Sequence, residues 1–188
     1  MIHTSPTLVI GGSVRPQRLC LQICDWIAQI GRETCGGAFE IVDLKQQRLP
    51  MDDEPEVPAT GKYKHAHTRA WSRKVAGAGA IVFVTPQYNW GYPAALKNAL
   101  DHLYSEWAGK PAMIVSYGGH GGGRCAAQLR QVLEGLHMKS LATMPALVLP
   151  RAMIEGNPGK IDAAETFAGH AAEVRQAFEE LKVAREAV

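Results

Sequence analysis

The sequence predicts a three-layer α/β sandwich around a five-stranded parallel sheet with strand order 2-1-3-4-5. Short apolar runs bounded by turn residues alternate along the chain with longer segments of helical periodicity. Strands and helices that alternate in this way form a parallel sheet with helices on both faces. A chain of 188 residues also suits one substantial core, so we expect residues 1–188 to form a single domain.

Five segments carry the strand pattern, in which short runs of apolar residues indicate strands buried on both faces. The third is a run of five apolar residues, and the fifth is the least regular because Pro145 interrupts it. The predicted strands are Leu8 to Ile10, Phe39 to Asp43, Ala80 to Val84, Ala112 to Val115, and a segment within Leu141 to Leu149.

Five helices are predicted from apolar residues that recur at helical spacing. The first helix carries the apolar stripe Leu19, Ile23, Trp26, Ile27 and Ile30. The next three run from Tyr63 to Ala78, from about Ala94 to Tyr104, and from Arg124 to Leu136. The last carries Phe167, Ala171, Val174, Phe178 and Leu181 at helical spacing. Between the second strand and the second helix, residues 44–62 are rich in proline and acid. An irregular stretch of this length predicts a mobile flap.

Composition excludes several classes of function. A net charge of +2 is too small to indicate a nucleic-acid surface. No apolar stretch approaches the length of about 20 residues that spans a bilayer, and the first residues lack a signal-peptide pattern. We therefore expect a cytoplasmic protein that binds neither membrane nor nucleic acid.

The four cysteines predict reduced thiols rather than a metal site. Cys20 and Cys24 would share one helix face, but no neighbouring His or Cys completes a ligand set. His65 and His67 are expected to be solvated, with no partner in view. No metal ion is therefore expected.

The loop after the first strand, Gly11 to Arg18, has the composition of a phosphate cradle. Glycines let the backbone approach a ligand, and the following helix offers unpaired N–H groups and the positive end of its dipole. Ser13 adds a hydroxyl, while Arg15 and Arg18 add guanidinium groups suited to phosphate. A capped helix start with surface arginines explains the same residues equally well.

The loop after the third strand, Thr85 to Pro93, combines flat side chains with hydrogen-bonding groups. Tyr88, Trp90 and Tyr92 supply aromatic surfaces, and Asn89 and the neighbouring backbone supply polar groups. Strands one and three flank the switch point of such a sheet, so this loop and the first would line one crevice. The alternative is a surface turn in which the aromatics occur by chance.

The loop after the fourth strand, Ser116 to Gly123, is rich in glycine and opens a helix. Its backbone N–H groups could approach a ring carbonyl and favour negative charge on a reduced ring. His120 could reach a ligand, although a solvent-facing turn also accounts for it. A ligand that carries both a phosphate and a flat ring fits all three loops, and flavin mononucleotide (FMN) has both.

With these loops, the chain resembles the NADPH-dependent FMN reductase family, and within it the quinone-reductase type known from yeast and bacteria. The resemblance extends from about residue 8 to residue 135. It is carried by Gly12 to Arg15 with Arg18, Leu49-Pro50 with Asp53 to Pro55, Pro86 to Asp101, and Ser116 to Gly122.

The resemblance implies a flavodoxin-like fold, bound FMN, and a homodimer or dimer of dimers. By that analogy the cofactor-binding residues are Ser13, Arg15, Arg18, Leu19, Pro86, Gln87, Tyr88, Asn89, Trp90, Gly91, Tyr117, Gly118, Gly119 and His120. Many family members have a serine-rich turn where this chain has Pro16-Gln17-Arg18-Leu19. More of the phosphate contact would therefore rest on Arg18 and on backbone amides.

The reaction implied is ping-pong hydride transfer from NADPH or NADH through FMN to a quinone-like, azo or flavin acceptor. No catalytic side chain is expected because the cofactor carries the chemistry. Arg69, Arg73 and Lys74 could meet the 2′-phosphate of NADPH, but a solvated helix face explains them as well.

A flavodoxin-type electron carrier with no NAD(P)H substrate of its own is the alternative function. A third possibility is a regulatory protein that docks through residues 44–62.

Overall fold

The computed structural model describes residues 5–187, which form a parallel sheet with helices on both faces. The sheet runs in the order β2-β1-β3-β4-β5, and β6 also pairs with β4. The predicted flavodoxin-like strand order 2-1-3-4-5 is therefore confirmed. The strands are β1 Thr7–Gly11, β2 Phe39–Asp43, β3 Ala80–Pro86, β4 Pro111–Gly118, β5 Lys139–Ser140 and β6 Ala146–Val148.

The helices connect successive strands and then cover the sheet after its last strand. They are α1 Cys20–Cys35, α2 Leu44–Gln47, α3 Ala66–Ala76, α4 Ala94–Asp101, α5 Gly123–Gly135, α6 Arg151–Gly156, α7 Ala163–Thr166 and α8 Ala171–Glu186. Two short 3-10 helices lie at Pro58–Thr60 and Ala168–His170. No helix within residues 5–187 combines the length and the apolar character needed to cross a membrane.

Alternation along the strands produces two cores, one on each face of the sheet. Val9 of β1 belongs to the core that contains Trp26 of α1 and Phe178 of α8. Leu8, one residue earlier, belongs to the core that contains Trp71 of α3. Because both faces are covered, every residue of β1 and β3 is buried, which is why these strands read as continuous apolar runs.

The fifth strand position is filled by two short strands rather than one. β5 pairs with the start of β4 at Pro111 and Ala112, and β6 pairs with its end from Ser116 to Gly118. Pro145 lies between them and has no N–H to donate to a ladder. It still contributes to the edge, because its carbonyl accepts the N–H of Ser116 at 3.0 Å.

Several predicted boundaries were wrong by a few residues. β3 and β4 continue into the predicted loops, since Thr85 pairs with Ser116 and Pro86 with Tyr117 in the same register. The predicted helices Tyr63 to Ala78 and the one ending at Tyr104 are shorter, as α3 and α4. Phe167 lies before the last helix rather than in it, but it still packs in the core that contains Trp26 and Phe178. The sequence analysis also missed α6 and α7, which are short and mostly exposed.

Residues 44–62 are not wholly irregular. They begin with α2, and Asn98 of α4 fastens their middle by donating to the carbonyls of Leu49 and Pro50 and accepting the N–H of Asp52 at 3.2 Å. His65 and His67 contact the same segment through Asp53, so the prediction that they are solvated without partners was wrong. The mobility of this segment stays a prediction.

Candidate functional site

A cavity of about 560 Å³ opens at the carboxyl ends of the central strands. Parallel sheets of this order bind ligands at that edge, where the loops after β1, β3 and β4 meet. The volume lies in the range of small-molecule and cofactor pockets. Its lining residues are Ser13, Arg15, Pro16, Gln17, Arg18, Leu19, Pro86, Gln87, Tyr88, Tyr117, Gly118, Gly119, Leu149, Met153, Ile154 and Asn157.

The first wall of the cavity is the β1–α1 loop, residues 12–19. At Gly12 the side chains of Thr85 and Leu96 pack closely against the backbone, since a Cβ there would lie 3.3 Å from Thr85 Oγ1 and 3.3 Å from Leu96 Cδ2. The helix that follows has no side-chain cap at Leu19 and no acidic residue in its first turn. Its first N–H groups therefore lack helical or capping partners and carry the positive end of the helix dipole.

Arg18 is held in place at this wall by its own chain. Its guanidinium pairs with the buried carboxylate of Asp43 at the end of β2, and Nη1 donates to the carbonyl of Arg15 at 3.1 Å. The third nitrogen, Nε, is buried and has no hydrogen-bond partner within residues 5–187. One charged donor of this cavity-lining residue is thus left without a partner, while the pair with Asp43 fixes its position.

Arg15 and Ser13 meet Tyr88 from the aromatic loop. The Arg15 guanidinium lies 4.0 Å from the centre of the Tyr88 ring, which is a cation–π distance. Ser13 Oγ and Tyr88 Oη are 2.9 Å apart and share a hydrogen bond. This contact ties the β1 and β3 loops together at the cavity. Arg15 itself is exposed, so its charge is free to meet an anion.

The glycine-rich loop after β4 is shaped by backbone contacts. Gly121 has φ of 75°, and a Cβ on it would lie 2.8 Å from the carbonyl oxygen of Ala146. Ser116 Oγ donates to the Gly121 carbonyl at 2.8 Å, and Gln87 accepts the N–H of Cys125 at 3.2 Å. Gln87 therefore links the β3 loop to the start of α5 and lines the cavity as well.

The remaining wall is apolar and comes largely from a part of the chain that sequence reasoning missed. Leu149, Met153 and Ile154 line it together with Tyr117. Met153 and Ile154 lie on α6, where no residue is buried. A buried apolar stripe is the signal that predicts a helix, so its absence hid this one. Pro150 immediately before the helix is the one available sequence signal for its start.

Four predicted site residues lie outside the cavity lining: Asn89, Trp90, Gly91 and His120. Tyr88 and Gly91 exchange backbone hydrogen bonds of 2.8 and 2.9 Å around a two-residue turn. Asn89 and Trp90 have φ of 49° and 71°, as a type I′ turn requires. Trp90 is 60% exposed and lies under the guanidinium of Arg124, at 3.6 Å. Their role in ligand binding stays a prediction.

The basic residues of α3 do not reach this cavity. Arg69 donates to the carbonyl of Tyr63 at 3.2 Å, and Lys74 pairs with Glu40 on β2. Neither these two nor Arg73 lines the cavity. Arg69 and Lys74 therefore have partners within the chain, and a role for these basic residues with NADPH stays a prediction.

No cysteine lines the cavity within residues 5–187. All four cysteines are free of disulfide bonds, and burial raises the pKa of Cys125 to about 12. Burial raises the pKa of Tyr117 well above its usual value, so its hydroxyl stays protonated. The lining contains two arginines and, within residues 5–187, no carboxylate side chain. The cavity therefore favours an anionic ligand over a nucleophilic reaction.

FMN fits the groups that this cavity offers. The uncapped start of α1, the free Nε of Arg18 and the exposed Arg15 provide donors and positive charge for a phosphate. The apolar wall and Tyr117 provide flat contact surface for a ring.

The family model described as NADPH-dependent FMN reductase matches residues 6–148. The chain belongs to the NADPH-dependent FMN reductase family. Within this oxidoreductase family it is 53% identical over 179 residues to an NAD(P)H-dependent FMN reductase of Schizosaccharomyces pombe, covering 94% of this chain and 88% of that one. It is 46% identical over 128 residues to an NADPH:quinone oxidoreductase of Arabidopsis thaliana, covering 65% of this chain and 63% of that one.

Solved structures agree on the fold. The flavoenzyme NAD(P)H:(acceptor) oxidoreductase FerB of Paracoccus denitrificans superposes with a TM-score of 0.69 at 19% identity, covering 95% of this chain and 98% of that one. An azoreductase of Bacillus anthracis superposes with a TM-score of 0.57 at 15% identity, covering 97% and 99%. At these identities the likeness establishes the shared fold of the family.

Proposed function

We propose that this protein is an FMN-dependent oxidoreductase that transfers hydride from NAD(P)H to a quinone-like, azo or flavin acceptor. The observation that carries the proposal is the cavity at the strand ends, which is lined by two arginines, an uncapped helix start and a set of apolar residues. Family membership supports it, as does the match to relatives named FMN and quinone reductases.

The chain's own residues bind and orient the cofactor. The first turn of α1, Ser13, Arg15 and Arg18 would hold the phosphate, and the pair with Asp43 keeps Arg18 in position. Pro86, Gln87 and Tyr88 would hold the ring from the β3 side, and Tyr117 to Gly119 from the β4 side. When bound, FMN supplies the chemistry, which is ping-pong hydride transfer between NAD(P)H and the acceptor.

The exposed rim of the cavity is assigned to NAD(P)H and the acceptor. Trp90, with Arg124 against its ring, offers an exposed aromatic face near the β3 loop, and His120 lies in the exposed turn after β4. Ile154 of α6, 48% exposed, supplies apolar surface at the cavity itself. Apolar and aromatic surface suits quinones and azo compounds, which are flat and poorly hydrated.

The protein is expected to act as a cytoplasmic homodimer with no nucleic-acid or membrane partner. The free thiols support the compartment, the small net charge of +2 speaks against a nucleic-acid partner, and the homodimer is what the resemblance to the family implies. That charge also disfavours the alternative of an electron carrier, because such carriers dock on basic partners through strongly acidic surfaces. Analytical ultracentrifugation of the FMN-bound protein tests the oligomeric state.

A single absorbance experiment tests the function. The purified protein is loaded with FMN, freed of excess, and mixed anaerobically with NADPH or NADH. We expect loss of flavin absorbance with at least one of them, followed by recovery when a benzoquinone is added. Retained FMN that neither nicotinamide reduces would contradict the enzymatic proposal.

A further inference from the structure

A second group of chemically competent side chains lies away from the cavity, where residues 44–62 meet α3 and α4. Asp53 comes from that segment, His67 from the first turn of α3, and His102 directly follows α4. One ligand atom of each lies within 4.8 Å of the others. None of the three lines the cavity at the strand ends.

His102 presents an unpaired nitrogen to this group. It is 1% exposed, and its Nδ1 lies 2.9 Å from the carbonyl oxygen of Asn98. A carbonyl oxygen accepts only, so Nδ1 carries the proton and Nε2 of the neutral ring carries a lone pair. Nε2 is buried with no hydrogen-bond partner within residues 5–187, and it lies 3.9 Å from Asp53 Oδ1.

This arrangement is the one that metal-binding histidines adopt. Such histidines donate the second ring nitrogen to a carbonyl or carboxylate, which fixes the tautomer and orients the ring. The separation of 3.9 Å is too long for a hydrogen bond, so Asp53 does not satisfy Nε2 directly. A metal ion bound between Asp53 Oδ1 and His102 Nε2 would give that nitrogen a partner.

The other two ligands have suitable positions. His67 Nε2 lies 3.0 Å from Asp53 Oδ1. A tetrahedral ion with bonds of about 2.0–2.1 Å holds its ligand atoms about 3.3 Å apart. This value lies between the separations of 3.0 and 3.9 Å that His67 Nε2 and His102 Nε2 make with Asp53 Oδ1. The side chains of His67 and Asp53 are 28% and 33% exposed, which leaves an entry path and room for a water ligand.

The surroundings position Asp53. His65 Nε2 lies 3.0 Å from the Asp53 carbonyl oxygen, and the His65 ring stacks on His67 with centroids 5.3 Å apart. The two histidines of α3 and the segment before it thus hold the Asp53 backbone and side chain in place beside His102.

We propose that Asp53, His67 and His102 form a binding site for a divalent metal ion of the zinc type, with water as the fourth ligand. Two imidazoles and one carboxylate suit Zn²⁺, and Co²⁺ would occupy the same site. The ion would clamp residues 44–62 to α3 and α4, because its ligands come from three separate parts of the chain. It serves structure at a distance from the cavity.

The test uses tag-free, full-length, FMN-loaded protein that has been treated with a chelator and dialysed. Isothermal titration with ZnCl2 should give one ion per chain. Asp53→Asn and His67→Gln should each weaken that binding by at least about 100-fold while FMN binding is retained. His170→Gln is the matched control: His170 also faces an acid, Glu173 at 3.7 Å, but lies outside the cluster and should bind zinc as the wild type does.

Two further readouts distinguish this site from adventitious surface binding. Co²⁺ should give the visible absorption of a tetrahedral ion in the wild type and not in His67→Gln. Zn²⁺ should also slow proteolysis between residues 52 and 62 in the wild type and not in Asp53→Asn. Absence of zinc binding at high micromolar concentration, or equal affinity in the wild type and both cluster variants, would overturn the proposal.

Discussion

Two walls of the cavity are built in opposite ways. The β1–α1 loop is fixed by buried contacts: Ser13 is 1% exposed, and the guanidinium of Arg18 pairs with the buried Asp43. The helix α6 in the opposite wall has no fully buried residue: Met153 packs partly against the core, and Asn157 at the end of the helix donates an exposed hydrogen bond of 3.2 Å to Gln17. The first wall suits a tightly held phosphate. The second wall suits contacts with a substrate that binds and dissociates in each catalytic cycle.

The largest expected effect comes from breaking the Arg18–Asp43 pair. Arg18→Met leaves the Asp43 carboxylate buried and unpaired, which should lower the free energy of unfolding by about 3 kcal/mol and abolish FMN retention. Urea unfolding and flavin absorbance measure the two effects. In the double variant Arg18→Met, Asp43→Leu, most of the stability should recover because no buried charge remains, although the hydrogen bond from the Lys45 N–H to Asp43 at the start of α2 is also lost. FMN binding should stay weak, and its full recovery would show that Arg18 serves folding alone.

The next largest effect comes from removing a positive charge, and it should differ between the β1–α1 loop and α6. Arg15→Gln should weaken FMN binding about 10- to 100-fold, since a hydrogen bond to a charged group is worth about 1.5–3 kcal/mol. Stability should hardly change because Arg15 is exposed. Arg151→Gln on α6, 89% exposed and paired with Glu155, is the matched control and should bind FMN normally. Fluorescence titration measures both, and equal losses would contradict the distinction between the walls.

A smaller effect is expected where the β1 and β3 loops meet. Tyr88→Phe removes the hydrogen bond to Ser13 but keeps the ring beneath Arg15. Such a bond contributes about 1 kcal/mol, so the FMN dissociation constant should rise about fivefold. The same fluorescence titration checks it. An unchanged constant would mean that the loops hold their positions without this contact.

The smallest effect on the cofactor is expected from the α6 wall. Ile154→Ala should change the free energy of unfolding by less than about 0.5 kcal/mol, because the side chain is half exposed. FMN affinity should change less than about twofold, since one partly exposed contact is lost. The KM for a quinone should rise several-fold in steady-state assays. A large loss of FMN with an unchanged KM would reverse the roles assigned to the two walls.

The sequence predicts the well-buried parts of this molecule better than the exposed ones. Strand order and the convergence of the three loops follow from alternating apolar runs, because burial on both faces leaves a strong pattern. The α6 wall leaves none, and its place follows only from how β6 pairs along the end of β4. Pro145 showed in the sequence that the last strand is interrupted. The sequence did not show that the two pieces pair with opposite ends of β4.

Side-chain partners were the least predictable part of the site. The pairing of Arg18 with Asp43, 25 residues away, depends on β2 lying beside β1. Asp53, His67 and His102 are spread over three elements, so no local spacing indicates that they meet. The sequence did not show that a type I′ turn leaves the side chain of Trp90 exposed, and its role in ligand binding stays a prediction. Such contacts depend on the folded geometry more than on residue type.

The most direct test of the central claim compares FMN with riboflavin, which has the same ring and no phosphate. Both are titrated into the flavin-free protein and followed by fluorescence quenching. Because the β1–α1 loop is expected to hold the phosphate, FMN should bind at least about 100-fold more tightly than riboflavin, and Arg15→Gln should remove much of that difference. Equal affinity for the two flavins, or no binding of FMN, would contradict the account.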